Sequence, residues 1–191
     1  MGASGKIQRQ RQRKETTSIF RKGMDKTMRI AVCPGSFDPV TLGHLDVFER
    51  ACRLFDKVVV GVVQLNSLSA KKYLFTLEER ISLVEKVTAA RGLENLTVKP
   101  FSGLLVDFAV QEGASAIVKG LRMMGDYEYE LTYAIANRKM QPQVDTVFLP
   151  AGEPFLTVSS SAVRELGRYG GDLTPYLPRE ILEEVKARLG R

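Results

Sequence analysis

From residue 28 onward, apolar and polar positions switch between two periods. "MRIAVC" (28–33) is a short apolar run that predicts a strand. "HLDVFERACRLF" (44–55) follows, with Leu45, Phe48, Cys52 and Phe55 near one face at helical spacing. "KVVVGVV" (57–63) is apolar without alternation, as a strand covered on both sides in a parallel sheet must be. "TLEERISLVEKVTAAR" (76–91) predicts a helix with Leu77, Ile81, Val84 and Thr88 as its stripe. Thr76 and Glu79 have the T-x-x-E spacing of a capping box, in which each side chain satisfies the other's backbone amide. "LTVKP" (96–100) reads as a third strand, "LLVDFAVQEG" (104–113) as a short helix closed by Gly113, and "AIVKG" (116–120) as a fourth strand. A long helix from about Asp126 to Met140 leads to a fifth strand, "DTVFLP" (145–150). "SSSAVRELGRYG" (159–170) and "PREILEEVKARLG" (178–190) supply two final helices, the second with Ile181, Leu182, Val185 and Leu189 on its apolar side.

Strands alternating with helices predict an α/β fold: a doubly wound, Rossmann-like sheet of five parallel strands in the order 3-2-1-4-5, with helices on both faces. Such sheets bind ligands beyond the carboxyl ends of their strands, where the strand order reverses. Strands one and four are neighbours there. The segments that follow them, "CPGSFDPVTLGH" (33–44) and "KGLRMMGDYEYE" (119–130), should therefore face each other across a crevice.

Composition narrows the picture. With 191 residues, 44% hydrophobic, the chain can bury one core, and residues 28–191 are read as a single domain. No apolar run approaches the ~20 residues that span a bilayer, and no apolar segment follows the basic start, so a membrane or secreted protein is not expected and a cytoplasmic one is. Two cysteines, Cys33 and Cys52, and one histidine are too few for a zinc site; the thiols read as reduced. The net charge of +6 belongs entirely to residues 1–28, which hold eight Lys and Arg against two acidic residues. The remainder is balanced, which argues against specific nucleic-acid binding. Residues 1–27 read as a basic, disordered extension, and their "GASGK" lacks the spacing and the Ser or Thr of a P-loop.

The sole histidine, His44, falls in the first turn of the first helix, preceded by Gly43. A helix start offers free N–H groups and a partial positive charge, both suited to phosphate. Ser36 sits in the tight turn before it. Lys119 and Arg122 follow strand four, Lys71 and Lys72 follow strand two, and Ser159, Ser160 and Ser161 open a helix after strand five. Cations, hydroxyls and amides converging on one sheet edge describe a polyphosphate site.

"PGSFDPVTLGH" resembles the T/H-x-G-H signature of the nucleotidylyltransferase superfamily. Its flanks, "FDPVTLGHLDVFERA", "FTLEERISLV", "VKGLR", "DYEYELTYAIANRKM" and "SSSAVRELGRYGGDLTPYLP", are similar, in order, to the bacterial phosphopantetheine adenylyltransferase family. The resemblance runs from about residue 28 to the end and excludes the tail. It implies transfer of the adenylyl group of ATP to 4′-phosphopantetheine, giving dephospho-coenzyme A and pyrophosphate. It implies that His44 contacts the α-phosphate, that Ser36 orients the attacking phosphate and also meets ATP, and that Phe37 contributes backbone to ATP. Lys71 and Lys119 would hold the acceptor phosphate and Arg122 the ATP phosphates. Gly120, Leu121 and Glu130 would lie at the nucleotide, and the loop Phe155, Leu156, Thr157, Val158, Ser159, Ser160 and Ser161 would close over it. Leu104, Leu105 and Asn137 would line the pantetheine arm. The family pattern further implies Mg2+ delivered with ATP, a homohexamer, and inhibition by coenzyme A. The chain departs from that pattern after strand two, where "NSLSAKKYLF" replaces a short N/S-P-x-K; counting back from Phe75 selects Lys71, with Lys72 as the alternative. Two other functions stay open: a nicotinate or nicotinamide mononucleotide adenylyltransferase, and a non-catalytic nucleotide sensor on the same fold.

Overall fold

The computed structural model describes residues 28–64 and 72–190. The basic extension and Lys71 lie outside the described residues. The elements run β1 (Ile30–Gly35), α1 (Leu42–Leu54), β2 (Lys57–Val63), α2 (Leu77–Ala90), β3 (Leu96–Phe101), α3 (Leu105–Gln111), β4 (Ala116–Leu121), α4 (Met124–Met140) and β5 (Asp145–Pro150). A 3-10 turn (Glu153–Phe155) and helices α5 (Ser160–Arg168) and α6 (Arg179–Arg188) complete the fold. The five strands form one sheet in the order β3-β2-β1-β4-β5, every pair parallel, as the alternation of elements predicts.

The sheet separates two cores. Ala31, Cys33, Val58, Val60, Val62, Ala116 and Val118 point to one face, against α1, α2, α5 and α6. Val32, Val59 and Ile117 point to the other, against Val106, Phe108 and Ala109 of α3. Two-sided cover explains why β2 shows no polar alternation: Val58, Val59, Val60 and Val62 are all fully buried. Each contributes about 1.5–3 kcal/mol of apolar burial.

The capping box at α2 forms as its spacing predicts. Glu79 N–H donates to Thr76 Oγ1 at 3.2 Å, and Thr76 N–H donates to Glu79 Oε2 at 2.8 Å. Other boundaries shift by one or two residues. β1 extends through Pro34 and Gly35 because its ladder with β2 continues to Gly35↔Val62. α1 starts at Leu42, with Thr41 as its N-cap, and α4 starts at Met124. The inward face of α2 differs from the expected stripe. It is Arg80, Leu83, Val84, Val87 and Thr88, while Leu77 and Ile81 pack at the core's edge. Cys33 is buried and Cys52 half-buried, both free thiols.

Candidate active site

A cleft of about 520 Å³ opens where β1 and β4 diverge, at the carboxyl edge of the sheet. Both segments singled out by sequence reach it: Ser36, Phe37, Gly43 and His44 from the β1–α1 connection, and Lys119, Gly120, Arg122 and Glu130 from β4 and α4. Phe155, Val158, Ser159, Ser160 and Ser161 close the third side. The remaining expected residues stand outside this lining. Leu121 ends β4, Leu156 and Thr157 are exposed, Leu104 is exposed beside α3, Leu105 packs on the opposite core, and Asn137 is buried on α4. Lys72 is exposed and also outside the lining.

The turn before α1 is shaped by steric fit. Phe37 adopts a positive φ of 48°. Its ring folds back so closely over Gly35 that a Cβ there would stand 2.6 Å from it; only glycine admits this turn. The ring then meets His44 edge-on at 5.1 Å and Phe48 at 5.4 Å. Asp38, fully buried, accepts the backbone N–H of Leu74 (2.9 Å) and of Phe75 (3.0 Å), and pairs with Arg164 at 3.4 Å. The connection is thereby clamped to the start of α2 on one side and to α5 on the other.

His44 occupies the third position of α1, where a capping box usually carries Glu or Gln. Its Nδ1 accepts the Thr41 backbone N–H at 3.0 Å. A backbone amide can only donate, so Nδ1 is unprotonated and Nε2 carries the ring proton. Burial, reinforced by the charge of Arg122, lowers the His44 pKa to about 4. The ring is thus a neutral N–H donor, fixed in one tautomer, on the wall of the cleft.

The cations are held just as firmly. Arg122 donates Nε and Nη2 to the two carboxylate oxygens of Asp126, at 3.0 and 3.1 Å, and its own amide to Oδ2 at 3.0 Å. Nη1 is left toward the cleft and lies 3.4 Å from the Val158 carbonyl. Partial burial pushes the Asp126 carboxyl up, but these bonds outweigh it and hold the group below the usual range. Lys119 Nζ lies 3.0 and 3.2 Å from the two oxygens of Glu130. The serines serve the scaffold: Ser159 caps α5 by accepting the Ala162 N–H, and Ser160 donates to the Pro39 carbonyl at 2.8 Å. Gly152 N–H donates to Asp46 of α1, fastening the loop after β5 to that helix.

Sequence reasoning passed over Arg164, which also lines the cleft and donates Nη2 to Ser161 Oγ at 3.2 Å. Its only signal was its place one helical turn after the serines. Cys33 lines the cleft too, but burial and the neighbouring Cys52 push its thiol well above the ordinary range, so it is no nucleophile.

A cleft of fixed N–H donors and cations without an activated nucleophile suits direct transfer between phosphates. The cytidylyltransferase-like family model matches residues 32–166, which span the whole cleft. The phosphopantetheine adenylyltransferase of Clostridium perfringens is 44% identical over 163 residues, covering 85% of this chain and 96% of its own length. That of Caldanaerobacter subterraneus is 46% identical over 158 residues, covering 83% and 96%. The chain belongs to the phosphopantetheine adenylyltransferase family. It is a nucleotidyltransferase by that membership. Among solved structures, a bifunctional NMN adenylyltransferase/ADP ribose pyrophosphatase from Francisella tularensis superposes with a TM-score of 0.67 at 17% identity, over 86% of this chain and 51% of that one. At that identity the likeness shows the shared fold and nothing of the acceptor.

Proposed function

We propose that this enzyme transfers the adenylyl group of ATP to 4′-phosphopantetheine, releasing pyrophosphate and forming dephospho-coenzyme A. The observation that carries the reading is the cleft itself. A neutral, tautomer-locked His44 stands at a helix start, opposite Lys119 and Arg122, in a chain 44–46% identical to named phosphopantetheine adenylyltransferases. An acceptor phosphate oxygen attacks the α-phosphorus of ATP, the new P–O bond forms, and the bond to the β-phosphate oxygen breaks. The acceptor oxygen is already ionised, so no general base is needed. His44 Nε2–H donates to an α-phosphate oxygen as its charge builds, and Arg122 Nη1 receives the charge shifting onto the leaving pyrophosphate. Lys119, with Lys71, draws the acceptor phosphate toward Ser36. Fixed donors of this kind act without reorganising, which is where most of the rate enhancement comes from.

Asp126 holds Arg122 and Glu130 holds Lys119 in place for the phosphates. Among the described residues no three His, Cys, Asp or Glu side chains gather to hold a metal, and the two carboxylates of the cleft are already paired with cations. Magnesium fits as a companion of the ATP phosphates, where it offsets their charge. The pantetheine arm extends to Leu104, Leu105 and Asn137, and the loop Phe155–Ser161, with Leu156 and Thr157 at its exposed tip, folds over the nucleotide beside Gly120, Leu121 and Glu130. The protein works in the cytoplasm as a homohexamer and is inhibited by coenzyme A. Exposed Tyr133 and Ile135 on α4 support the assembly, since other subunits would cover them.

The test is pyrophosphate release from Mg-ATP with 4′-phosphopantetheine, with nicotinamide mononucleotide, or with no acceptor. Release with phosphopantetheine alone supports the reading. Release with the mononucleotide alone overturns the acceptor, and no release from folded protein that binds ATP makes it a sensor.

A further inference from the structure

Arg80 is the one buried cation among the described residues, 2% exposed at a core position of α2. A guanidinium there is costly to bury unless its donors are matched, and a Met or Leu would fill the volume without that cost. Its contacts show what the cost secures. Nη1 donates to the Ser36 carbonyl at 2.7 Å and to the Val63 carbonyl at 3.1 Å. The β1–β2 ladder ends at Gly35↔Val62, so these are the first carbonyls beyond its last pair. The two strands part there, on the margin of the cleft, and one nitrogen of Arg80 joins them. The guanidinium plane stacks over the Tyr73 ring at 4.1 Å, and Nε is left buried without a partner. The side chain is thus placed to serve the two carbonyls, not its own full satisfaction. Arg80 does not itself line the cleft; it reaches it through the carbonyl of Ser36, which does.

We propose that Arg80 is a positioning residue for the acceptor half of the reaction: by joining the Ser36 and Val63 carbonyls it sets the place of Ser36 against the end of β2. This rests on the reading that Ser36 orients the attacking phosphate. Asp38 clamps the far end of the same turn to the Leu74 and Phe75 amides. The Ser36–Asp38 turn is therefore held at both ends by residues at and just before the start of α2. ATP-binding groups on β4, α4 and α5 receive nothing from Arg80.

Arg80→Lys keeps the charge but loses the guanidinium that rests on the Tyr73 ring and fixes where Nη1 meets the two carbonyls; Arg80→Met keeps the volume and removes the donors. Steady-state kinetics of both, beside wild type, separate the two substrates. The proposal expects the acceptor KM to rise and kcat to fall, together on the order of 10- to 100-fold in kcat/KM for the acceptor. The dissociation constant for ATP, which meets this turn but is held mainly from β4, α4 and α5, should rise severalfold less than the acceptor KM, with Arg80→Lys milder than Arg80→Met. Equal losses for ATP and acceptor, or unchanged acceptor constants in a folded variant, overturn it. Should Arg80→Met fail to fold, Arg80→Lys decides by the same ratio. Wild-type turnover tests the function separately: if another acceptor is used, the ratio is measured with that acceptor. Faster amide exchange at the Ser36–Phe37 turn of Arg80→Lys, with α4 unchanged, is the result expected without any acceptor, and unchanged exchange there overturns the proposal.

Discussion

Lowering the pH from 7 to 5 should cost the fold stability through His44, a group that stays neutral in the cleft while its unfolded counterpart takes up a proton. His44 has a folded pKa of about 4, against about 6.5 for an unfolded chain. The unfolded state therefore takes up a proton first. Stability is complete above about pH 7.5, falls as pH drops through 6.5, and stops falling below about 4. Between pH 7 and 5 the linkage amounts to about 2 kcal/mol, reduced to about 1–2 by water at the half-open cleft. Geometry points the same way, since a proton on Nδ1 would face the Thr41 N–H that now donates to it. Urea unfolding of wild type and His44→Gln at both pH values isolates the effect, because the carboxylates titrate alike in each. Wild type should lose about 1–2 kcal/mol more than the variant between pH 7 and 5. As His44 is the only histidine, its ring proton in an NMR titration gives the pKa directly and should show the Nε2–H tautomer. Turnover is a poorer readout, because the acceptor's phosphate itself titrates near pH ~6. Parallel losses in both proteins, with the ring titrating near 6.5, would refute the reasoning and remove the neutral donor from the mechanism.

Other perturbations have defined outcomes. Arg122→Ala removes the fork that Asp126 holds and should weaken ATP binding about 10- to 100-fold by calorimetry, while raising the His44 pKa. Unchanged affinity would mean that Arg122 does not face the phosphates. Asp38→Asn leaves Arg164 without its counter-charge and weakens the bonds to Leu74 and Phe75; urea unfolding should show a loss of about 2–3 kcal/mol. Gly35→Ala drives a methyl into the Phe37 ring, so melting should report a loss of about 1–3 kcal/mol, with turnover falling because that ring packs on His44. A variant as stable and active as wild type would show that the turn tolerates another path.

The strand order and the meeting of the two cleft segments were legible in the sequence because both follow from connectivity. Alternating strands and helices leave few topologies, and a right-handed crossover rule then puts β1 beside β4. β2 and β5 matched their expected limits because each apolar run is bounded by charge or turn residues. The inward face of α2 was not legible. Arg80 reads as polar in any periodicity, and what lets it sit inside, the carbonyls of Ser36 and Val63, lies 44 and 17 residues away. Arg164 was missed for a similar reason: on a helix surface an arginine looks solvated until Asp38 and Ser161 are found beside it. Leu104, Leu105 and Asn137 came from resemblance alone. That Leu104, the N-cap of α3, and Leu105 and Asn137 on α3 and α4 stand outside the cleft lining could be learned only from the folded chain.

The central claim is direct adenylyl transfer in a cleft where His44 stabilises the developing charge. Its most direct test is a single turnover of ATP labelled at the α-phosphate, with 4′-phosphopantetheine and excess enzyme, for wild type and a folded His44→Ala. The account predicts that the label passes straight into dephospho-coenzyme A, never onto the protein, and that the variant is slower by about 10²–10³-fold. Label trapped on the protein, or a variant as fast as wild type, would contradict it.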